Sequence, residues 1–335
     1  MSLLRRPLRA QGPGAGLKRY RPASMTQSRP RVIWRFVDGV HGHDNQSAGL
    51  IAALRERADI EVFEPARAAR LPALLYWALG RYPPGAALPA PDLLIGAGHS
   101  THLSLLAARR ARGGRIVMLM KPSLPCRWFD LNLIPEHDAV KDCGNVITTR
   151  GVINRIRPAP VKDRALGLFL IGGPSRHHDW QNEHMMDQVR SVVSHFPNHN
   201  WELTTSRRTP SGWLDYLRQH LEPGLLRRLT LHDWRELEPD WLVRRLPLAD
   251  TAWVSEDSVS MVYEALTAGA AVGLLDVPAK GRNRVSRGAQ SLLQNEQVVR
   301  YADWLTGKKL TPMREPLDEA GRCAEAILAR WPVGG

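Results

Sequence analysis

The stretch Thr251–Leu275, TAWVSEDSVSMVYEALTAGAAVGLL, decides the fold. Its first four residues form a short apolar run that predicts a β-strand. A polar turn follows, and the apolar residues between Ser258 and Ala268 recur at helical spacing. A second apolar run, Ala271–Leu275, predicts the next strand. A strand–helix–strand unit of this kind implies two parallel strands with the helix packed on the sheet.

The same alternation continues outward over the rest of the chain. A Pro-rich stretch, Pro158–Val161, has the composition of a linker and divides the chain into two series. The predicted strands are Arg31–Val37, Ile60–Phe63, Asp92–Ile95, Ile116–Met120, Ala165–Ile171 and Trp201–Thr205, and the predicted helices are Ser47–Arg57, Leu71–Leu79, Thr101–Arg112, Glu183–Phe196, Ser211–His220 and Asp318–Trp331.

Two such series predict an α/β protein with two doubly wound, Rossmann-like domains that face each other across a cleft. We place the first domain at residues 30–160 and the second at residues 161–312. The last segment, residues 313–335, is predicted to be a helix that packs back on the fold.

The composition limits the class of protein. The 335 residues are 43% apolar, which is enough for a sizeable core. No apolar run approaches the ~18–20 residues of a membrane span. The three cysteines, Cys126, Cys143 and Cys323, are scattered and odd in number. They argue against a disulfide framework or a zinc site and favour a reducing cytoplasm.

The chain is strongly basic, with a net charge of +13. Residues 1–29 carry seven basic residues and no acid, are rich in Gly and Pro, and are predicted to be a disordered extension. This start resembles an organellar transit peptide, or it is an upstream extension before a true start at Met25. The remaining charge suits solvated surface, or a peripheral contact at the inner membrane. No module or aromatic–basic strand predicts nucleic-acid binding.

In open α/β sheets, ligands bind beyond the carboxyl ends of the strands, so polar segments at those points are the candidate sites. The first is Asp38–Gln46, directly after the first strand. We predict His43 or Asp44 as a general base and Gly42, Asn45 and Gln46 as substrate contacts. A polar loop with a helix cap is the alternative. His41 and His43 lack further ligands at metal spacing, so no metal site is predicted.

The second candidate, Glu136 and Asp138, flanks a histidine and could act in acid–base chemistry; a solvated turn is equally compatible. The third opens the second half. Gly172, Gly173 and Ser175 could cradle phosphates, although the segment is not a Walker loop, and a turn with no ligand is the alternative. Two further cations on the next loop, Arg207 and Arg208, suit bidentate phosphate contacts or surface solvation.

The fourth segment lies within the deciding stretch. Its loop and first helical turn offer backbone amides and hydroxyls to a diphosphate, and Glu264, further along the helix, could accept both hydroxyls of a ribose. A helix cap and an exposed helical glutamate are the alternatives. The predicted contacts are Ser255, Glu256, Asp257, Ser258, Ser260, Met261 and Glu264.

This segment resembles the donor-site signature of GT-B glycosyltransferases, in which a loop–helix element binds the nucleotide diphosphate and a helical Glu binds the ribose. Glu256 and Glu264 are separated by seven intervening residues, as two glutamates are in some retaining members. The motifs DGVHGHDNQ, IPEHD, TTRGVIN, LIGGPSRHHDW, SRRTP and VSEDSVSMVYEA together resemble the family named for plant mitochondrial fission, of the elongated-mitochondria type. That resemblance runs from Val32 to Val333. The first segment also looks like the acceptor loop of the N-acetylglucosamine transferase of peptidoglycan synthesis, without its paired glycines.

The resemblance implies a GT-B-like fold and transfer from a nucleotide-diphosphate sugar. The acceptor would be lipid-linked or lipopolysaccharide, and no protein-bound cofactor is expected. A nucleotide-sugar 2-epimerase of the same fold, using Glu136 and Asp138, is the second hypothesis. A scaffold that has lost catalysis is the third.

Overall fold

The computed structural model describes residues 29–138, 144–278, 280, 287–315 and 317–332. Most of the predicted basic extension, including Met25, and also Cys143 and Val333, lie outside the described residues. The described chain forms two parallel six-stranded sheets, one in each half. No helix among these residues is both long and apolar enough to cross a bilayer.

The first sheet has the strand order β2-β1-β3-β4-β5-β6, and all its pairs are parallel. The strands are β1 (Arg31–Phe36), β2 (Ile60–Phe63), β3 (Leu93–Ala97), β4 (Arg115–Leu119), β5 (Leu131–Pro135) and β6 (Val146–Thr149). The strands β3 and β5 are buried throughout, as expected for a sheet covered on both faces.

The second sheet has the order β12-β11-β10-β7-β8-β9, again with parallel pairs. Its strands are β7 (Asp163–Leu170), β8 (Asn200–Thr204), β9 (Leu229–His232), β10 (Ala249–Ser255), β11 (Ala271–Leu275) and β12 (Val299–Arg300). The deciding stretch supplies β10, β11 and the helix between them, so the predicted parallel unit is confirmed.

Helices cover both sheets. They are α1 (His41–Arg55), α2 (Arg70–Leu79), α3 (His102–Arg112), α4 (Asn182–His195), α5 (Trp213–His220), α6 (Pro223–Leu226), α7 (Trp241–Arg245), α8 (Val259–Thr267), α9 (Arg287–Gln294), α10 (Tyr301–Leu305) and α11 (Glu319–Arg330). Each sheet has one apolar cluster on either face. The last helix, α11, belongs to the first half, because Cys323, Ala324 and Ile327 pack with Ile33 and Leu50.

One predicted boundary is wrong and matters for the site. Gly42, His43, Asp44, Asn45 and Gln46 were expected in a loop, but they lie in the first two turns of α1. Gly39 adopts a φ of +78° and turns the chain sharply after β1. The Val40 carbonyl then accepts the amides of His43 and Asp44, so the helix begins at His41.

The strand order of each sheet reverses direction once, between β1 and β3 and between β7 and β10. At such a switch point the two connections leave in opposite directions and open a crevice at the carboxyl ends of the strands. In the first half this crevice receives the residues after β1 and β3. In the second half it receives the end of β10 and the residues after β7 and β10, which include Ser255, Gly172 and Asp257.

Candidate functional site

A histidine–carboxylate pair occupies the switch point of the first sheet. Nδ1 of His43, on α1, lies 3.0 Å from Oδ2 of Asp38, which follows β1. Ser100, which follows β3, donates its hydroxyl to the same Oδ2 at 2.7 Å. The Val40 amide donates to the other carboxylate oxygen at 3.1 Å. Asp38 is almost fully buried, whereas the His43 side chain keeps 19% of its surface exposed.

These contacts fix the charge of Asp38 and the tautomer of His43. Burial opposes ionisation of Asp38, but hydrogen bonds from Ser100, His43 and Val40 outweigh it and lower the pKa of the carboxyl group. An ionised carboxylate only accepts hydrogen bonds, so Nδ1 of His43 carries a proton, and the lone pair of the neutral ring is then on Nε2. Gly98, at φ +80°, makes room for this pair, because a Cβ there would overlap the imidazole ring.

The other predicted residues of α1 face different surroundings. The Asp44 carboxylate turns back to accept the Asp38 amide at 3.4 Å, so it stabilises the turn that holds His43. Gln46 is buried, and Gly42 borders open space. His41 is exposed toward the second half: partial burial and the Arg207 guanidinium lower the pKa of its ring.

The helix α8 presents its N-terminus at the switch point of the second sheet. It begins at Val259, and the side chain of the preceding Ser258 makes no capping hydrogen bond. The amides of a first helical turn have no acceptor within the helix and carry partial positive charge. The Ser260 hydroxyl on this turn is exposed, and Met261 is partly buried against the adjoining apolar cluster.

The glycine loop after β7 is closed by side chains of the protein itself. The Gly172 amide donates to Ser255 Oγ at 2.7 Å, and the Gly173 amide donates to Asp257 Oδ2 at 3.2 Å. Arg208 pairs with the same carboxylate oxygen at 2.6 Å. These predicted phosphate contacts are therefore engaged with one another, and Ser255 is fully buried. The arrangement fixes the loop beside α8.

The two neighbouring arginines thus have different surroundings. Arg208 belongs to the closed loop, whereas the Arg207 guanidinium lies over the Trp234 ring, 5.7 Å from its centroid, and close enough to lower the pKa of His41. Arg207 and Trp234 also line a cavity of 510 Å³ at the ends of β8 and β9. Ser175 caps its own turn by accepting the amides of His177 and His178.

The two halves touch through Glu264. Asn45 on α1 donates to Glu264 Oε1 on α8 at 2.9 Å. Burial between the helices raises the pKa of Glu264 to about 7, although the Asn45 hydrogen bond opposes the shift. Both partners were predicted as substrate contacts, and the fold brings them together across the cleft.

The second glutamate of the spaced pair faces elsewhere. Glu256 is buried, and its Oε1 accepts the Val277 amide at 3.1 Å, beyond the end of β11. Burial raises the pKa of Glu256 to about 7, and the neighbouring Asp276 adds to the shift. The two glutamates therefore lie in different surroundings: Glu256 contacts the backbone beyond β11, whereas Glu264 contacts α1.

The remaining predicted pair follows β5. Glu136 is exposed and begins a short 3₁₀ turn that ends at Asp138. Burial, with a smaller contribution from the Glu136 carboxylate, raises the pKa of Tyr263 to about 12. Because Tyr263 precedes Glu264 on α8, Glu136 also lies on the side of the first half that faces α8. The backbone carbonyl of Asp138 accepts from Lys121 at 3.0 Å.

Comparison with known proteins identifies the family. A family model described as Mitochondrial fission ELM1 matches residues 41–331. The chain belongs to this family. A search of curated proteins finds no significant match.

Solved structures similar to this ELM1-family chain share its fold. One is a Listeria monocytogenes protein whose name assigns it provisionally to the UDP-N-acetylglucosamine 2-epimerases; the TM-score is 0.57 at 13% identity, over 90% of this chain and 95% of the other. For a UDP-GlcNAc 2-epimerase from Neisseria meningitidis, bound to UDP-GlcNAc, the TM-score is 0.51 at 11% identity, over 90% of this chain and 99% of the other. For the calicheamicin glycosyltransferase CalG4, the TM-score is 0.51 at 13% identity, over 91% of this chain and 100% of the other. The ELM1-family chain therefore has a GT-B-like fold.

Two residues of the candidate site in this family member were not singled out from the sequence. Asp38 lies in the first predicted segment, and its position directly after β1 was the available signal. Ser100 follows the glycine-rich end of β3, GAGHS, which also sits at a carboxyl edge. Among the described residues, no group of three or more His, Cys, Asp or Glu side chains could hold a metal ion.

Proposed function

We propose that this protein is a glycosyltransferase that uses a nucleotide-diphosphate sugar as donor. The observation that carries the proposal is the uncapped N-terminus of α8, with Glu264 on the same helix meeting α1 across the cleft. Helix N-termini bind anions through free amides and the helix dipole. The diphosphate would lie against the amides and hydroxyls of Ser258 and Ser260, while Glu264 would exchange its Asn45 hydrogen bond for the ribose hydroxyls.

His43 would act as the general base. Because Asp38 holds Nδ1–H, Nε2 is free to take the proton of an acceptor hydroxyl. That oxygen would attack the anomeric carbon as the bond from this carbon to the diphosphate breaks, and the electron pair would leave on the diphosphate. The α8 amides and the Arg207 guanidinium would stabilise the departing charge. A direct displacement of this kind inverts the anomeric configuration.

The glycine loop has a supporting role in this proposal. Gly172, Gly173, Ser255 and Arg208 are joined through the Asp257 carboxylate, so they would hold α8 in place rather than form the main diphosphate contacts. The acceptor would be lipid-linked or lipopolysaccharide, a class that the net charge of +13 suits.

Donor binding is tested first. A thermal-shift screen of nucleotide sugars, with UDP-N-acetylglucosamine among them, selects the probe, and calorimetry then compares the wild-type chain with Glu264→Ala. We expect Glu264→Ala to weaken binding by about tenfold or more, because a hydrogen bond to a charged group is lost. Glu61→Ala, which removes an exposed carboxylate on β2, is the matched control. Equal affinities of Glu264→Ala and the wild-type chain would refute the donor site.

The proposed base is tested separately with Asp38→Asn. This change replaces the charged, acceptor-only carboxylate with an amide whose NH₂ can face Nδ1, so the His43 tautomer is no longer fixed, and we expect kcat to fall by roughly 10²–10⁴-fold while the donor affinity stays the same. Full activity of Asp38→Asn would exclude the His43 mechanism.

A nucleotide-sugar 2-epimerase is the second candidate, and the position of Glu136 beside Tyr263 favours it. Such an enzyme would abstract a sugar proton with Glu136 or Asp138. Incubation of the selected nucleotide sugar in D₂O without acceptor distinguishes the two reactions, because only epimerisation incorporates deuterium into the sugar. If no nucleotide sugar raises the Tm at any concentration, a non-catalytic scaffold is the better description.

A further inference from the structure

We propose that α2 and the arginine-rich surface around it form a docking site for an anionic phospholipid bilayer. The site consists of an apolar patch, which we call the α2 patch, and the cations beside it. The α2 patch comprises Leu71, Leu74, Leu75, Trp77 and Leu79. None of these residues belongs to the proposed donor or base site, so the inference is independent of the proposed function.

The apolar stripe of α2 faces outward. Leu71, Leu74, Leu75 and Leu79 recur at spacings of three and four residues, which places them on one face of the helix. Such a face normally packs on a core, yet the five residues of the α2 patch are between 43% and 78% exposed. The inward side of the helix is formed by Ala73, which is fully buried, and by Tyr76. A contiguous exposed apolar surface of this kind marks an interaction site.

The surroundings of the α2 patch are basic. Between Glu64 and Asp130 the sequence has nine Lys and Arg residues and one acid, Asp92. Arg70 begins α2, Arg67 and Arg81 flank it, and all three are exposed. Arg110 on the neighbouring helix α3 lies over the Trp77 ring, 5.1 Å from its centroid, so one cation is held directly against the patch.

This combination fits the interface of an anionic bilayer. Leucine and tryptophan side chains partition into the boundary between headgroups and acyl chains, and arginines beside them attract acidic headgroups. A second copy of the chain, docked through the same surface, would bring the same cations face to face, and they would repel each other. Residues 1–28 contain no acid, so these arginines would repel that basic segment as well. Of the three occupants compared, the anionic bilayer is therefore the one whose charge is complementary to this surface.

The test is sedimentation of the full chain with vesicles of equal parts phosphatidylcholine and phosphatidylglycerol. The double variant Leu75→Ser/Leu79→Ser should lower the partition coefficient by about tenfold or more, because two side chains no longer insert. Arg70→Gln/Arg81→Gln should lower it by about tenfold on these vesicles and little on pure phosphatidylcholine. The wild-type binding should also weaken with added salt.

Matched controls keep the result specific. Val161→Ser/Leu305→Ser removes equally exposed apolar side chains elsewhere, and Arg164→Gln/Arg227→Gln removes exposed arginines of the second half; both should bind as the wild-type chain does. Unchanged Tm values establish that each variant is folded. The proposal is overturned if the α2 variants sediment like the wild-type chain. It is equally overturned if only a chain shortened to start at Met25 loses binding, or if the α2 variants change the oligomeric state alone.

Discussion

At the scale of single residues, the second half holds two glutamates that resist ionisation because each is buried, although their surroundings differ. Glu264 lies between α8 and α1, with Asn45 as its partner. Glu256 is buried within its own half, near Asp276. The pKa of each is raised to about 7, so each carboxyl group ionises in the physiological range. Hydrogen bonds donated by the hydroxyls of a bound ribose would favour the charged form of Glu264 and would therefore lower this raised pKa.

Glu256 should make the stability of the fold depend on pH. Its pKa is about 7 in the folded chain against an ordinary value of 4.5, so the folded state binds more protons between these values. The free energy of unfolding should therefore fall as the pH rises from 4.5 to 7. Glu256→Gln keeps an acceptor for the Val277 amide but cannot ionise. We expect it to stabilise the protein by about 2 kcal/mol at pH 8 and to have little effect at pH 4.5.

The measurement is denaturant unfolding of both proteins at the two pH values. Glu61→Gln, which removes an exposed carboxylate, corrects for the change in net charge. A Glu256→Gln effect of equal size at both pH values would show that Glu256 is not the titrating group.

At the scale of elements, the sequence predicts well what depends on local pattern. The strand Ala271–Leu275 is found with the predicted bounds, because a short apolar run after a helix leaves few alternatives. The start of α1 was predicted six residues too late, since Gly42, His43, Asp44 and Asn45 are weak helix formers and dense polar residues favour a loop. The pair His43–Asp38 depends on where α1 begins. The pair Asn45–Glu264 joins residues far apart in the chain and depends on where α1 lies in space, which a single sequence does not encode locally.

The position of α1 rests on a close backbone contact. Gly49 faces the carbonyl of Asn154 in the connector after β6, and a Cβ at this position would overlap it. Asn154 in turn donates to Thr267 Oγ1 of α8 at 3.1 Å. Gly49→Ala should therefore lower the free energy of unfolding by about 2–4 kcal/mol, because the helix must move away from the connector.

Gly42, on the same helix, is the matched control. It borders open space, so Gly42→Ala should raise the free energy of unfolding by about 0.5 kcal/mol through helix propensity alone. Denaturant unfolding measures both variants. If Gly49→Ala and Gly42→Ala changed the free energy of unfolding equally, the connector would be able to shift and make room for a Cβ at position 49.

At the scale of the whole molecule, the chain crosses between its halves twice. The connector carries Gly151, at φ +84°, where a Cβ would overlap the Tyr263 ring of α8. After the second sheet is complete, α11 returns and packs with α1 on the first sheet. The motif TTRGVIN and the C-terminal helix therefore hold the two switch points opposite each other, and the proposed donor and base sites depend on this alignment.

The return of α11 predicts that a C-terminal change loosens the N-terminal sheet. Ile327 is fully buried on α11 in the cluster that contains Ile33 and Ile95. Ile327→Ala should lower stability by about 2–4 kcal/mol and speed amide exchange in β1 and β3 more than in β10, because the two sheets have separate cores. Val192→Ala, in the second half, should give the opposite pattern. Peptide-resolved hydrogen exchange measures both, and equal acceleration in β1 and β10 by Ile327→Ala would show instead that the halves unfold as one unit.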